Sequence, residues 1–182
     1  TFLETIMQGK SLRRDGAKDA MRFLVSGEAT DAQIGAFLGA YRARGSTAEE
    51  LAGFVDSMRA AAVKISVERA PLVDTCGTGG DGKGSFNIST AAAFVAAGAG
   101  VAVAKHGNRA VSSKSGSADV LEAIGVPLDL SPDDAKASIE KHGFAFLFAP
   151  RYHPAMKHVA KARKELGVRT VFNILGPLVN PA

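Results

Sequence analysis

The stretch DTCGTGGDGKGSFNIST, residues 74–90, runs straight into the alanine-rich AAAFVAAGAG and constrains this chain more than any other feature. Gly77, Gly79, Gly80, Gly82 and Gly84 fall within eight residues, between a short apolar run, PLVDT, and a helix-forming segment. Glycine there lets the backbone bend tightly and come close to a ligand, so strand, loop and helix start are read as one unit. Gly77, Gly79 and Gly82 satisfy the dinucleotide pattern G-x-G-x-x-G, and residues 77–84 nearly satisfy the phosphate-loop pattern G-x-x-x-x-G-K-[ST]. Neither motif runs to its end. A dinucleotide fold needs the third glycine to open the helix and an acid after the next strand, yet that strand ends in Lys105-His106. Gly84 stands where a phosphate loop places its magnesium-binding hydroxyl. What the motifs share still applies: backbone N–H groups converge on an anion, and the helix start adds roughly half a positive charge. The loop is expected to hold phosphate, with Asn87, Ser89 and Thr90 as side-chain donors or ordinary caps, and Asp81 at a sugar hydroxyl, a metal-bound water or solvent.

Around this unit the chain divides. Residues 1–68 read as a helical domain: Thr30 with Gln33 and Thr47 with Glu50 are capping boxes, and Gly45 ends the helix between them. Ile34, Phe37, Leu38 and Tyr41 recur at helical spacing, as do Leu51, Phe54, Val55 and Met58. So few helices cannot close a large core alone, so this domain is expected to pack on something else, such as a second copy of itself. After Pro71, apolar strands (PLVDT, GVAVAK, FAFLFA) alternate with helices over residues 89–97, 117–124 and 132–142. Ser131-Pro132 with Asp133 and Asp134 starts the last of these and Gly143 stops it. The expected fold is α/β, a parallel sheet flanked by helices over residues 69–165, with a separate all-helical N-terminal domain. Residues 166–182 are expected to be a helix and hinge returning toward the helical domain.

A second loop follows the second strand. Residues 101–118 carry Lys105, Arg109 and Lys114 with no acid, and Asn108, Ser112, Ser113, Ser115 and Ser117 add neutral donors. At the same sheet edge this makes a second anion-binding wall, and two walls suit a sugar bearing a phosphate at one end and a diphosphate at the other. Lys105 serves as a point charge and Arg109 as a fork, while Ser117 could equally cap the next helix. The net charge of +4 over 182 residues suits an anionic ligand or nucleic acid. His106 reads as a shaping group or a general base, and His153 and His158 lack zinc-site spacing. The single Cys76 permits no internal disulfide and favours a reducing cytoplasm; it reads as packed rather than nucleophilic. No apolar run is long enough for a membrane helix.

CGTGGDG at 76–82, FNIST at 86–90, KHGNRAVSSKSGSADVLEAIG at 105–125 and PRYHPAMKHVAKARKELGVRTVFNILGPLVNP at 150–181 closely resemble the anthranilate phosphoribosyltransferase family of tryptophan biosynthesis. The likeness spans the whole chain. It implies nucleoside-phosphorylase-like architecture, a homodimer through the helical domain, and transfer of phosphoribose from phosphoribosyl diphosphate to the amino group of anthranilate with Mg2+. Carried over by motif, Gly77, Gly80, Asp81, Ser85, Asn87, Ile88, Ser89, Thr90, Lys105, His106, Gly107, Asn108, Arg109, Ala110, Val111, Ser112, Ser113 and Ser117 line the phosphoribosyl diphosphate site. Gly77, Asn108, Arg163, His106 and His153, with Tyr152 nearby, meet or shape the site for anthranilate; Ser89 also meets the metal. Lys105, Ser89 and Asn108 carry the catalytic roles. The family continues past GPLVNP with more of the α/β domain and an acidic pair for magnesium, so the resemblance implies an N-terminal half or truncated form: either a second segment has been lost, or this piece is inactive as it stands. Two rival readings are a non-catalytic nucleic-acid binder and a pyrimidine nucleoside phosphorylase, whose family shares the glycine loop. Residues 101–120 carry no aromatic side chain for base stacking, which weighs against nucleic acid.

Overall fold

The computed structural model describes residues 1–79, 85–110 and 115–182. Gly80, Asp81, Val111, Ser112 and Ser113 lie outside the described residues. The chain forms two compact units, residues 1–62 with 153–179, and residues 63–152 with 180–182.

The first unit contains α1 (Phe2–Met7), α2 (Arg14–Ser26), α3 (Asp31–Arg44) and α4 (Ala48–Ala61). Both expected capping boxes are present: the Thr30 and Thr47 side chains accept from the Gln33 and Glu50 amides, and those side chains reach back to the cap amides. The α3 stripe Ile34, Phe37, Leu38 and Tyr41 is buried against Met21, Leu24 and Phe54. Gly53 is required in mid-helix because a Cβ there would strike the Arg14 carbonyl on α2.

The expectation that this domain needs something further to pack on is met from within the chain. Much later in the chain, α9 (Lys157–Leu166) and α10 (Phe172–Leu175) bury Val159, Ala162, Phe172 and Leu175 in the same core. Residues 153–165, expected in the α/β domain, therefore pack with the helices, because α9 turns its narrow apolar stripe to α2 and α3. Residues 63–68, expected with the helices, go the other way: Ile65 is buried with Ala102 and Leu147, and its amide donates to the Pro181 carbonyl at 3.0 Å.

The second unit holds a parallel sheet of β1 (Leu72–Val73), β2 (Ala102–Gly107) and β3 (Phe144–Phe148), in the order β1-β2-β3. Among the described residues its helices are α5 (Ile88–Gly98), α6 (Ser117–Ala123), α7 (Pro132–His142) and α8 (Ala149–Tyr152). Lys105 pairs with Phe146 and His106 with Leu147. One face packs Ala102, Ala104, Ala145 and Leu147 against Ala135 and Ile139 of α7; the other packs Phe146 against Ala118 and Leu121 of α6. α7 starts and stops as read, with the Ser131 hydroxyl capping the Asp134 amide and Gly143 in the left-handed region. β1 is shorter than PLVDT because the next residue, Asp74, spends its side chain on backbone amides where a strand would continue its ladder.

Candidate anion-binding site

The loops after β1 and β2 leave the same end of the sheet, as a parallel fold requires of neighbouring strands. The Lys105 side chain, on β2, is almost wholly buried, at 1% exposure. Its ammonium donates to Thr75 Oγ1 at 3.3 Å and Ser89 Oγ at 3.5 Å. Thr75 in turn donates to the Ser89 carbonyl at 2.7 Å, tying the glycine loop to the first turn of α5. Burial pulls the Lys105 pKa down, opposed chiefly by the charge of Asp74. Among the described residues no carboxylate lies within ion-pair distance of it. A buried cation answered by two neutral hydroxyls beside a helix N-terminus is a place for an anion.

Asn87 caps α5 by its backbone, its carbonyl accepting from the Thr90 and Ala91 amides, while its side chain makes no cap hydrogen bond. Ser85 and Ile88 are exposed. Thr90 is buried, and its Oγ1 has no hydrogen-bond partner among the described residues. Gly77 is exposed at the start of the glycine loop.

On the second loop, Gly107 and Gly116 allow close packing: a Cβ on the first would meet Ser117 Oγ and the Phe146 ring, and on the second the backbone of residues 108–110. Ser117 is the first residue of α6 rather than its cap, and its hydroxyl donates to the Asn108 carbonyl at 3.3 Å. Asn108 is exposed and accepts from the Arg109 amide. A single oxygen of Asp119 accepts from the Ala110 and Gly116 amides at 2.9 and 2.7 Å, pinching the loop shut at its base. Arg109, read as an anion fork, faces acids here: it grips Glu122 through two hydrogen bonds of 2.7 and 2.8 Å and also reaches Asp119. The acid-free stretch ends one residue before Asp119, so both acids stand on the next helix, one turn apart.

Arg163 and His153 lie in the helical unit and the other site residues in the α/β unit. Arg163 is half-buried with its guanidinium 5.0 Å from the Phe172 ring centroid, and burial lowers its pKa. None of the ion pairs among the described residues includes it. His153, Tyr152 and His106 are buried.

Asp74, Cys76 and His106 bring three ligand-type atoms within 4.8 Å of one another. Thiol and imidazole do not suit magnesium, which takes oxygens. Burial, reinforced by Asp74 and opposed by Lys105, pushes the Cys76 thiol up to about 11, so it is protonated near neutrality. Ser89 Oγ fits a magnesium shared with phosphate oxygens, since such sites use one or two protein oxygens and draw the rest from substrate and water. Reading the sequence did not single out Asp74, Thr75, Asp119 or Asn180. An acid closing an apolar strand and an asparagine before Pro181 were the available signals.

Residues 1–62 match the model of the glycosyl transferase family, helical bundle domain, and residues 69–182 that of the glycosyl transferase family, a/b domain. Anthranilate phosphoribosyltransferase of Brevibacillus brevis is 61% identical over 99% of this chain and 53% of its own length. The one from Bacillus caldotenax is 57% identical over the whole chain and 74% of its own length. The crystal structure of the Thermus thermophilus enzyme matches with a TM-score of 0.94 at 53% identity, over 99% of this chain and 55% of that one. The Saccharomyces cerevisiae enzyme in complex with PRPP and Mg matches at 0.88 and 31% identity, over 98% of this chain and 54% of that one. The chain thus spans about half the length of most relatives it matches. Among the described residues no helix is long and apolar enough to cross a membrane.

Proposed function

Because the chain belongs to the anthranilate phosphoribosyltransferase family, we propose that the whole protein transfers the phosphoribosyl group of phosphoribosyl diphosphate to the amino group of anthranilate. The bond from ribose C1 to the diphosphate oxygen breaks, the anthranilate nitrogen bonds to C1 and loses a proton, and N-(5-phosphoribosyl)anthranilate and diphosphate leave. The observation that carries this reading is the buried Lys105 ammonium, whose hydrogen-bond partners among the described residues are the hydroxyls of Thr75 and Ser89 at the start of α5.

An aniline-type amine is nucleophilic when neutral, so the protein's main task is charge stabilisation rather than proton transfer. Positive charge grows on the ribose ring as negative charge gathers on the leaving diphosphate, and donors preset for that charge lower the barrier. Lys105, Ser89, Thr90 and the N–H groups of the first turn of α5 fill that role from one wall, and the basic loop with Asn108 from the other. Magnesium, when bound, supplies further neutralisation of the diphosphate, with Ser89 as a protein oxygen. Gly80, Asp81, Val111, Ser112 and Ser113 are assigned to the same substrate by their motifs alone. Arg163 is assigned to the anthranilate carboxylate: a half-buried guanidinium without an acidic neighbour suits a forked contact. A homodimer through the helical unit belongs to the same proposal, supported by a groove of about 430 Å³ lined by Ile6, Met7, Ala36 and Ala40.

The test follows loss of anthranilate fluorescence with phosphoribosyl diphosphate and magnesium, for this chain and for the longest form of the protein. Turnover in the long form supports the assignment. Activity only with inorganic phosphate and a nucleoside would point to phosphorolysis, and binding that is independent of magnesium and falls steeply with salt would point to nucleic acid.

A further inference from the structure

The two loops are joined by one carboxylate. Asp74 Oδ1 accepts from the Cys76 amide at 2.9 Å and the His106 amide at 3.2 Å. Cys76 immediately precedes Gly77, and His106 immediately follows Lys105, so this oxygen sits between the root of the glycine loop and the root of the basic loop. The other oxygen is held from behind. Asn180 Nδ2 donates to Asp74 Oδ2 at 2.8 Å and to the Ala104 carbonyl at 2.8 Å. Asn180 is itself fixed, its Oδ1 accepting from the Ala182 amide and its neighbour Pro181 accepting from the Ile65 amide.

We propose that Asp74 and Asn180 are positioning residues that set the separation between the two phosphate-binding loops: Asp74 ties their roots together and Asn180 fixes the carboxylate that does so. The substrate consequence rests on the transfer reading above; the tie itself does not. Three N–H donors converge on Asp74, which only a carboxylate can satisfy, since the amide of asparagine would turn a donor toward Asn180 Nδ2. Those donors also take three of the roughly four lone-pair sites on the Asp74 carboxylate and so compete with a metal at Asp74, Cys76 and His106. Neither residue need touch the substrate. A change in either lets the loops drift relative to each other, and a bisphosphorylated sugar gripped at both ends feels that drift, whereas anthranilate does not depend on the spacing.

Two measurements on the full-length protein test this separately. In hydrogen–deuterium exchange read at single residues, Asp74→Ala should speed the Cys76 and His106 amides together by about tenfold or more, the size of a lost charge-assisted bond. The Val103 amide, which donates to the Gly143 carbonyl at 2.8 Å, should keep its protection. Asp74→Asn retains Oδ1 but loses Asn180, so it should match Asn180→Ala, and the double variant should be no worse than either single change. In steady-state assays, both single variants should raise KM for phosphoribosyl diphosphate about tenfold while KM for anthranilate stays within about twofold. Unchanged exchange at either amide in Asp74→Ala overturns the tie. Both KM values rising together with a large fall in melting temperature overturns the positioning role in favour of a merely structural one. Normal exchange effects in a protein without transfer activity would leave the tie standing and defeat the functional reading instead.

Discussion

Two buried charges, one in each unit, show opposite solutions to the same problem. Glu50, at 0% exposure in the helical unit, accepts from the Leu12 and Thr47 amides, the Tyr41 and Thr47 hydroxyls and the Arg44 guanidinium. Burial alone would raise its pKa, but the amide of Thr47, Arg44 and the remaining donors outweigh it and hold the carboxyl at about 2. Lys105, at 1% exposure in the α/β unit, has two hydroxyls. The first charge is completed by the chain itself, whereas among the described residues the second meets two neutral hydroxyls, the arrangement on which its proposed role toward an anion rests. A charge that the fold satisfies stabilises the fold; a charge it leaves short is held ready for a ligand.

The contrast breaks most sharply at Glu50. Glu50→Ala should cost about 3–5 kcal/mol of unfolding free energy in denaturant titrations, because it strands Arg44, Tyr41 and two amides at once. The next largest effect should be on turnover: Lys105→Ala or Ser89→Ala should depress kcat by about a hundredfold or more, and His106→Ala by less. Equal losses in all three would end the idea that charge stabilisation outweighs proton transfer. Lys105→Met sharpens the comparison, since removing an underpartnered buried ammonium should leave the melting temperature unchanged or raise stability by about 1 kcal/mol while abolishing binding of phosphoribosyl diphosphate.

Acid separates the two charges as well. Glu50 has a folded pKa below its ordinary 4.5, so its contribution is full above pH 4.5 and is lost as pH falls toward 2, which thermal melts across that window will show. In Glu50→Gln that part of the pH dependence should vanish. The smallest effect concerns Cys76, whose alkylation rate should keep rising with pH toward about 11 instead of levelling near 9.0; a plateau near 9.0 would mean that Asp74 and burial do not act on the thiol as described.

How much of this is legible in the sequence depends on range. Capping boxes, the α7 start and the Gly143 stop lie within a few residues of their partners, so Thr30, Thr47 and Ser131 can be read directly. The burial of Lys105 follows from its place in an apolar strand, and the use proposed for the glycine loop rests on its composition and motif. What stays hidden joins distant residues. Nothing near Asn180 points to Asp74, 106 positions earlier, and nothing in α9 says that Val159 and Ala162 pack on helices rather than on the adjacent sheet. Arg109 differs between sequence and structure for a related reason: the acid-free window that makes it look available closes just short of the two acids that hold it.

The alternation of β3, Phe-Ala-Phe-Leu-Phe, has a consequence for assembly of the α/β unit. Ala145 and Leu147 point to the face covered by α7, and Phe146 to the face covered by α6, so the two sides of this strand differ greatly in bulk. Sliding it by one residue against β2 would drive phenyl rings into the layer sized for alanine. A misthreaded copy thus rejects itself through steric misfit, and the same check sets the depth in the protein at which the lysine opposite Phe146 is carried.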